Sequence, residues 1–201
     1  GQIYQNIAAS EESFDIDRKT ALEESYKSFK KSKELDTKNR WEDQIFFGLQ
    51  QVKAIALNSG IEAYNTENYE DARDLFLIGA NAGDDLEMAD TLAVYNAGLA
   101  AEQAEDFETA AAQYRKAIDM GYLGPNLYLY LANLYQRQDD MEKYIDVVRS
   151  GREAYPDNSD LIIYELNYYL KNERLEEAEN NLKLAIEKEP DNKQLYFSLG
   201  F

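Results

Sequence analysis

The chain has 201 residues, 44% of them hydrophobic and 30% charged, and it contains neither histidine nor cysteine. The missing side chains exclude histidine-based acid–base catalysis, thiolate nucleophiles, disulfides and zinc sites built from histidine or cysteine. A net charge of −18 argues against nucleic acid as a partner, because phosphates require a basic surface.

The acidic residues are concentrated in the middle of the chain. Residues 54–119 contain 14 acidic and 3 basic side chains, and no lysine or arginine lies between Arg73 and Arg115. A solvated acidic face is the simplest interpretation, and a surface for a basic partner is the alternative. A calcium site is not expected, because no segment has the ligand spacing of an EF-hand loop.

The N-terminal third of the chain predicts helices and no strand. Helices are expected over 2–14, 17–35 and 39–66, and the first two form a divergent N-terminal pair. The third is long because apolar residues from Trp41 to Val52 keep helical spacing and no breaker comes before Gly60. The apolar first half of this helix is expected to pack on the N-terminal pair, with a self-association surface as the alternative.

A pattern of large and small residues recurs four times after residue 68. Its copies are Tyr69, Ala72, Phe76, Gly79; Phe107, Ala110, Tyr114, Ala117; Met141, Tyr144, Val148, Gly151; and Leu175, Ala178, Leu182, Ala185. The step from Tyr114 to Val148 to Leu182 is 34 residues each time. A fixed period of this size predicts stacked supersecondary units, since one unit cannot bury its apolar face alone. Tyr144 replaces the small residue in the third copy, so that unit is expected to pack more loosely.

Each unit is predicted to be a pair of helices. In the third unit the apolar residues from Leu127 to Tyr135 share one helical face, Pro125 suits a first turn, and Asp139 or Asp140 can cap the second helix. The helices of this region are predicted over 68–82, 85–104, 107–121, 125–138, 140–155, 159–172, 174–189 and 191–201. Four extra residues precede Tyr114 and are expected to lengthen the helix over 85–104.

From about residue 40 to residue 201 the pattern resembles the tetratricopeptide repeat family. The family motif places a glycine at Gly98, aromatics at Phe107 and Tyr114, and a proline near the unit's end, as at Pro156 and Pro190. The resemblance implies an all-α fold: a right-handed superhelix of stacked antiparallel helix pairs in one domain over 1–201. Its expected parts are the N-terminal pair at 1–39, repeats at 40–84, 85–122, 123–156 and 157–190, and a further repeat or capping helix at 191–201.

Both ends of the sequence suggest a longer parent chain. Gly1 is not an initiator methionine and no signal-peptide pattern follows it. The final LYFSLGF begins a fifth unit without its second helix, or forms a solitary capping helix. We therefore expect Leu195, Tyr196 and Leu199 to be exposed and to favour self-association or disorder. The LDTKNRW junction and the long third helix are similar to those of family members from the bacterial cell envelope. They imply a periplasmic location, with the cytoplasm as the alternative.

The sequence predicts no catalytic site. Adjacent acidic pairs such as Glu70/Asp71 and Asp139/Asp140 stand at helix starts or turns, where carboxylates favour the helix dipole and solvent. No phosphate-binding loop, dinucleotide fingerprint or nucleophile elbow is present. The chain is therefore expected to be non-enzymatic, with no cofactor, no metal site and no membrane-spanning segment.

The resemblance also implies that the first helix of each unit lines a concave groove for a protein or peptide partner. Carried over by register, the groove residues are Leu57, Ile61, Tyr64, Tyr95, Asn96, Leu99, Leu129, Asn133, Gln136, Arg137, Ile163, Asn167 and Lys171. The N-terminal half is apolar and aromatic, and the C-terminal half is rich in amides and cations. The expected ligand is an extended or helical segment, apolar at one end and acidic at the other. Asn133 with Arg137 and Asn167 with Lys171 share helix faces and would bind its backbone and its carboxylates.

Two other functions remain open from the sequence. The sixteen tyrosines could stack on sugar rings, which would make the chain a glycan- or small-ligand-binding module. It could also be an architectural subunit of a larger assembly. The carboxylate clamp of some relatives is not reproduced, because Leu57 and Ile61 occupy its lysine and asparagine positions and only Asn96 matches.

Overall fold

The computed structural model describes residues 1–10 and 16–192, and all regular secondary structure in these two ranges is α-helical. The helices are α1 (Gln2–Ala9), α2 (Arg18–Leu35), α3 (Glu42–Asn65), α4 (Tyr69–Asp85), α5 (Thr91–Gln103), α6 (Phe107–Asp119), α7 (Pro125–Arg137), α8 (Met141–Ala154), α9 (Ser159–Lys171) and α10 (Leu175–Lys188). They fall into two compact units, Gly1–Met120 and Gly121–Phe201. The predicted all-α fold is confirmed for the described residues.

In the first unit, α3 is one unbroken helix that packs on the N-terminal pair. Val52 of α3 shares a buried cluster with Ala8 of α1 and Leu22 of α2. The side-chain amide of Gln5 donates to the carbonyl of Gly48 at 3.0 Å. This part of the prediction is confirmed for the inward face of the helix. The opposite side of its first turns remains exposed.

The glycines of α3 and α5 permit close packing on the next helix. A Cβ built on Gly60 would lie 2.8 Å from the ring of Phe76 in α4, and one on Gly98 would lie 2.8 Å from the ring of Tyr114 in α6. These distances leave no room for a methyl group, and Phe76 and Tyr114 are at most 2% exposed. In these two repeats the glycine and the aromatic residue therefore form one packing unit.

The turn within each of the four repeats has the same unusual backbone. Its left-handed residues are Glu67, Glu105, Asp139 and Glu173, with φ between 56° and 61°. In each case the next N–H bonds back to a carbonyl five residues earlier, as from Asp106 to Ala101 at 2.9 Å. Such a left-handed residue closes a helix and satisfies carbonyls of its last turn. Here a carboxylate side chain occupies the position where glycine is preferred.

The second unit contains α7 to α10. Pro125 opens α7 after Gly124, whose φ is 54°, and the carboxylate of Asp140 accepts from the N–H of Lys143 at 3.1 Å. The prediction that Tyr144 loosens this unit is wrong. Tyr144 is 3% exposed, and its ring stacks on the ring of Tyr164. Its hydroxyl donates to the Tyr164 carbonyl at 2.9 Å, so the large side chain is accommodated in the packing between α8 and α9.

The helix bounds differ from prediction at α4 and α5. The extra residues lengthen α4 to Asp85 and form a turn with Glu87 at φ 56°, and α5 begins only at Thr91. The expectation that they lengthen the following helix is therefore wrong. The first helix ends at Ala9 instead of 14, although 11–15 are outside the described residues. The predicted helix over 191–201 and its apolar residues also lie outside them, apart from residues 191 and 192, which are not helical.

Candidate functional site

Four predicted groove residues of the first unit line one cavity of about 110 Å³. They are Ile61 and Tyr64 from α3 and Asn96 and Leu99 from α5. Phe76 and Asn65 complete the lining, and neither was predicted from the sequence. Ile61 is 47% exposed although it is aliphatic, so the cavity presents apolar surface to solvent. Tyr64 also packs against the buried cluster that contains Phe76, so the cavity borders the core of the first unit.

The other two predicted residues of this half support the cavity's walls. Leu57 packs against α4, where a Cβ on Gly79 would lie 2.7 Å from the leucine side chain. The ring of Tyr95 stacks on Tyr114 with 6.2 Å between centroids, and the Tyr114 hydroxyl donates to Glu102 at 2.7 Å. Burial, with Glu102, raises the pKa of Tyr114, so its hydroxyl stays protonated. Leu57 and Tyr95 are therefore used in packing between neighbouring helices and do not line the cavity.

In the second unit, Asn133 is joined to the neighbouring first helix. The hydroxyl of Tyr164 in α9 donates to the side-chain oxygen of Asn133 in α7 at 3.0 Å. The Tyr164 ring stacks on Tyr144 at 6.2 Å, and burial raises the pKa of Tyr144 to about 12. The side-chain oxygen of Asn133 is thus used within the protein. The amino group of the same side chain makes no hydrogen bond with the described residues.

The remaining predicted residues of the second unit differ in exposure. Gln136, Arg137, Asn167 and Lys171 are exposed, and Ile163 is half-buried against the α9–α10 core. Leu129 is only 9% exposed, so it contributes little to a surface. The Nζ atom of Lys171 lies 3.8 Å from the sulfur of Met141. This face therefore offers amides and two cations, as the sequence suggested.

Sequence reasoning missed a partly buried charged network that joins α8, α9 and α10. Arg152 donates to Glu165 at 2.7 Å and to Asn181 at 2.8 Å, and the Tyr169 hydroxyl donates to Glu165 at 2.9 Å. Glu165 stands 34 residues after Leu131, which is a core position. That register offset was the signal that could have identified a buried carboxylate.

The described residues contain no group of three acidic side chains arranged to hold a metal ion. Within the same ranges, no helix is both long and apolar enough to cross a bilayer. The acidic caps of the repeats bind backbone and neighbouring cations instead. Asp106, for example, accepts from the N–H of Thr109 at 3.2 Å and pairs with Arg73 at 3.2 Å.

Comparison with known proteins identifies the repeat. Residues 95–159 match the family model of the tetratricopeptide repeat. A TPR repeats protein from Bacteroides fragilis is 26% identical with a TM-score of 0.55, over 67% of this chain and 62% of its own length. The chain thus spans less than two thirds of that relative. No curated protein matches the chain.

Two further solved structures share the fold at lower identity. YrrB, described as a TPR protein with an unusual peptide-binding site, is 15% identical with a TM-score of 0.54, over 90% of this chain and 91% of its own. MamA is 18% identical with a TM-score of 0.55, over 91% and 99%. Paired helices, the recurring glycine–aromatic contact and these matches lead to one conclusion: residues 95–159 form tetratricopeptide repeats, and the described helices share the fold of solved TPR proteins.

Proposed function

We propose that this chain is a non-catalytic scaffold that binds a protein or peptide segment on the first helices of its repeats. The observation that carries the proposal is the cavity in the first unit. There Ile61, Tyr64 and Leu99 leave apolar surface open to solvent beside two asparagine amides. An apolar pocket with a few polar groups at its edge is the usual form of a recognition site.

The cavity in the first unit suits one apolar side chain of a ligand. Its base is the ring of Phe76, which is fixed against Gly60, so the pocket does not need to form on binding. Asn65 and Asn96 can each donate to and accept from a peptide backbone. A preformed pocket reduces the entropy that binding costs.

The exposed face of the second unit suits a carboxylate. Arg137 and Lys171 supply cations near the ends of α7 and α9, and Asn167, four residues before Lys171 on α9, supplies an amide. Charge-assisted hydrogen bonds to carboxylates contribute about 1.5–3 kcal/mol each. Acidic ligand residues would therefore be recognised here, in a protein whose net charge otherwise repels them.

Support from relatives is limited to the fold. YrrB is described as a TPR protein with an unusual peptide-binding site, and its chain is 15% identical to this one. Peptide recognition is thus compatible with this architecture, while the ligand must be found by experiment. The glycan-binding alternative gains nothing from the ring of Tyr144, which is buried and stacks on both Tyr164 and Tyr168.

The test is a peptide array on the purified chain, followed by calorimetry on the peptides that bind. We expect Ile61→Glu to abolish binding of peptides with an apolar anchor, since it places a charge in the cavity. The double variant Arg137→Glu/Lys171→Glu should weaken binding of acidic peptides by roughly 10-fold to 100-fold. Glu176→Lys on α10 is the matched control and should change affinity little. Unchanged affinity in both groove variants, or binding only on a glycan array, would refute the proposal.

A further inference from the structure

A group of exposed large apolar side chains in the first unit lies where α2 ends and α3 begins. Leu35 is 68% exposed, Trp41 61%, Phe47 60% and Phe46 38%, and the two phenylalanine rings meet edge-on at 5.8 Å. Four large apolar side chains within thirteen residues form a patch that we call the turn patch. It lies on the first unit alone and is distinct from the proposed groove cavity. Contiguous apolar surface of this kind marks interaction sites.

A cavity of about 450 Å³ opens beside the turn patch. Its floor is apolar, with Ile45, Phe46, Leu49 and Leu86. Its rim is acidic, with the carboxylates of Asp36, Glu42, Asp85 and Glu87. The only cation in the lining is Lys33, and its ammonium group already bonds to the carbonyl of Asp85. The cavity therefore suits a large apolar side chain with cations beside it.

The turn between α2 and α3 carries a large apolar side chain with cations beside it. Trp41 follows Lys38 and Arg40, all three are exposed, and neither cation has an ion-pair partner among the described residues. The Asp36 carboxylate accepts from the N–H groups of Arg40 and Trp41 at 2.9 and 2.7 Å. These bonds fix the turn, so Trp41 is presented without a large loss of freedom on binding.

We propose that the turn patch is a self-association surface, in which Trp41 of one copy enters the acidic-rimmed cavity of a second copy. Two-fold interfaces bring one patch against itself, so a patch that holds both an anchor and its receptor is self-complementary. Lys38 and Arg40 then face the partner copy's Glu42 and Glu87, which offsets repulsion between two acidic chains. Tryptophan is among the most frequent dominant residues of interfaces.

The first test uses Trp41 as its own probe, since it is the only tryptophan in the chain. With rising concentration of the full chain, sedimentation velocity should show a dimer and Trp41 emission should move to shorter wavelength. Trp41→Ala should weaken the dimer by roughly 30-fold or more. Leu175→Ala is the control, because Leu175 is 68% exposed on the second unit. Circular dichroism should show that both variants keep their helix content.

The second test is a charge exchange. Lys38→Glu/Arg40→Glu places acids against the acidic rim, and Glu42→Lys/Glu87→Lys places cations against the cationic turn. Each double variant alone should remain monomeric, and an equimolar mixture should form a heterodimer, because both of its turn–cavity contacts are then attractive. A wild-type chain that stays monomeric, a Trp41→Ala dimer of unchanged affinity, or a mixture that fails to pair would overturn the proposal.

Discussion

Replacing Glu165 by leucine should destabilise the second unit even though leucine occupies the equivalent core position, Leu131, in the preceding repeat. The carboxylate is 12% exposed and receives bonds from Arg152 and Tyr169 at 2.7 and 2.9 Å. Losing two bonds to a charged group costs about 1.5–3 kcal/mol each, and burying leucine returns about 1.5–3 kcal/mol. The guanidinium of Arg152 then keeps only Asn181 as a hydrogen-bond acceptor, and its Nε atom already lacks a partner in the described structure. We expect unfolding free energy to fall by about 3 kcal/mol.

The assay is urea unfolding followed by circular dichroism, with hydrogen exchange in α9 to assign the change to the second unit. Arg152→Met combined with Glu165→Leu should regain stability to within about 1 kcal/mol of the wild type, because a buried ion pair replaced by apolar side chains is often neutral. The reasoning fails if Glu165→Leu alone leaves the unfolding free energy unchanged. It also fails if the double variant loses as much unfolding free energy as Arg152→Met and Glu165→Leu lose in sum.

Three further predictions concern the first unit. Glu105→Gly should raise unfolding free energy by about 0.5–1 kcal/mol in urea titrations, since φ is 60° there and left-handed backbone disfavours side chains. Gly98→Ala should lower it by about 1–3 kcal/mol, because the new methyl group meets the Tyr114 ring at 2.8 Å; an unchanged melting temperature would contradict this. The hydrogen bond from Lys19 lowers the pKa of Asp71, so its stabilisation is present above the unfolded pKa of about 3.8 and is lost as pH falls through the folded value. The melting-temperature difference between wild type and Lys19→Met should therefore shrink below about pH 4.

The sequence alone determined the repeat, the helices and the chemical character of the groove residues. A 34-residue period with glycine at 98 and aromatics at 107 and 114 fits only stacked helix pairs, because the apolar spacing is helical and Pro156 ends a unit. The register then indicated Ile61 and Leu99 as surface positions of first helices. Local spacing is sufficient for these conclusions, since it decides which side chains share a helix face.

Only the tertiary structure decided which helix the extra residues extend and which partners the charged side chains contact. The four extra residues could extend either neighbouring helix, and packing of Ala82 and Gly83 in the first unit favoured α4. The register places Glu165 at a core position, but its partner Arg152, thirteen residues earlier on another helix, is identified only when folding brings the two side chains to 2.7 Å. Such choices depend on contacts between segments distant in sequence, and helical periodicity carries no information about which partner a side chain will meet.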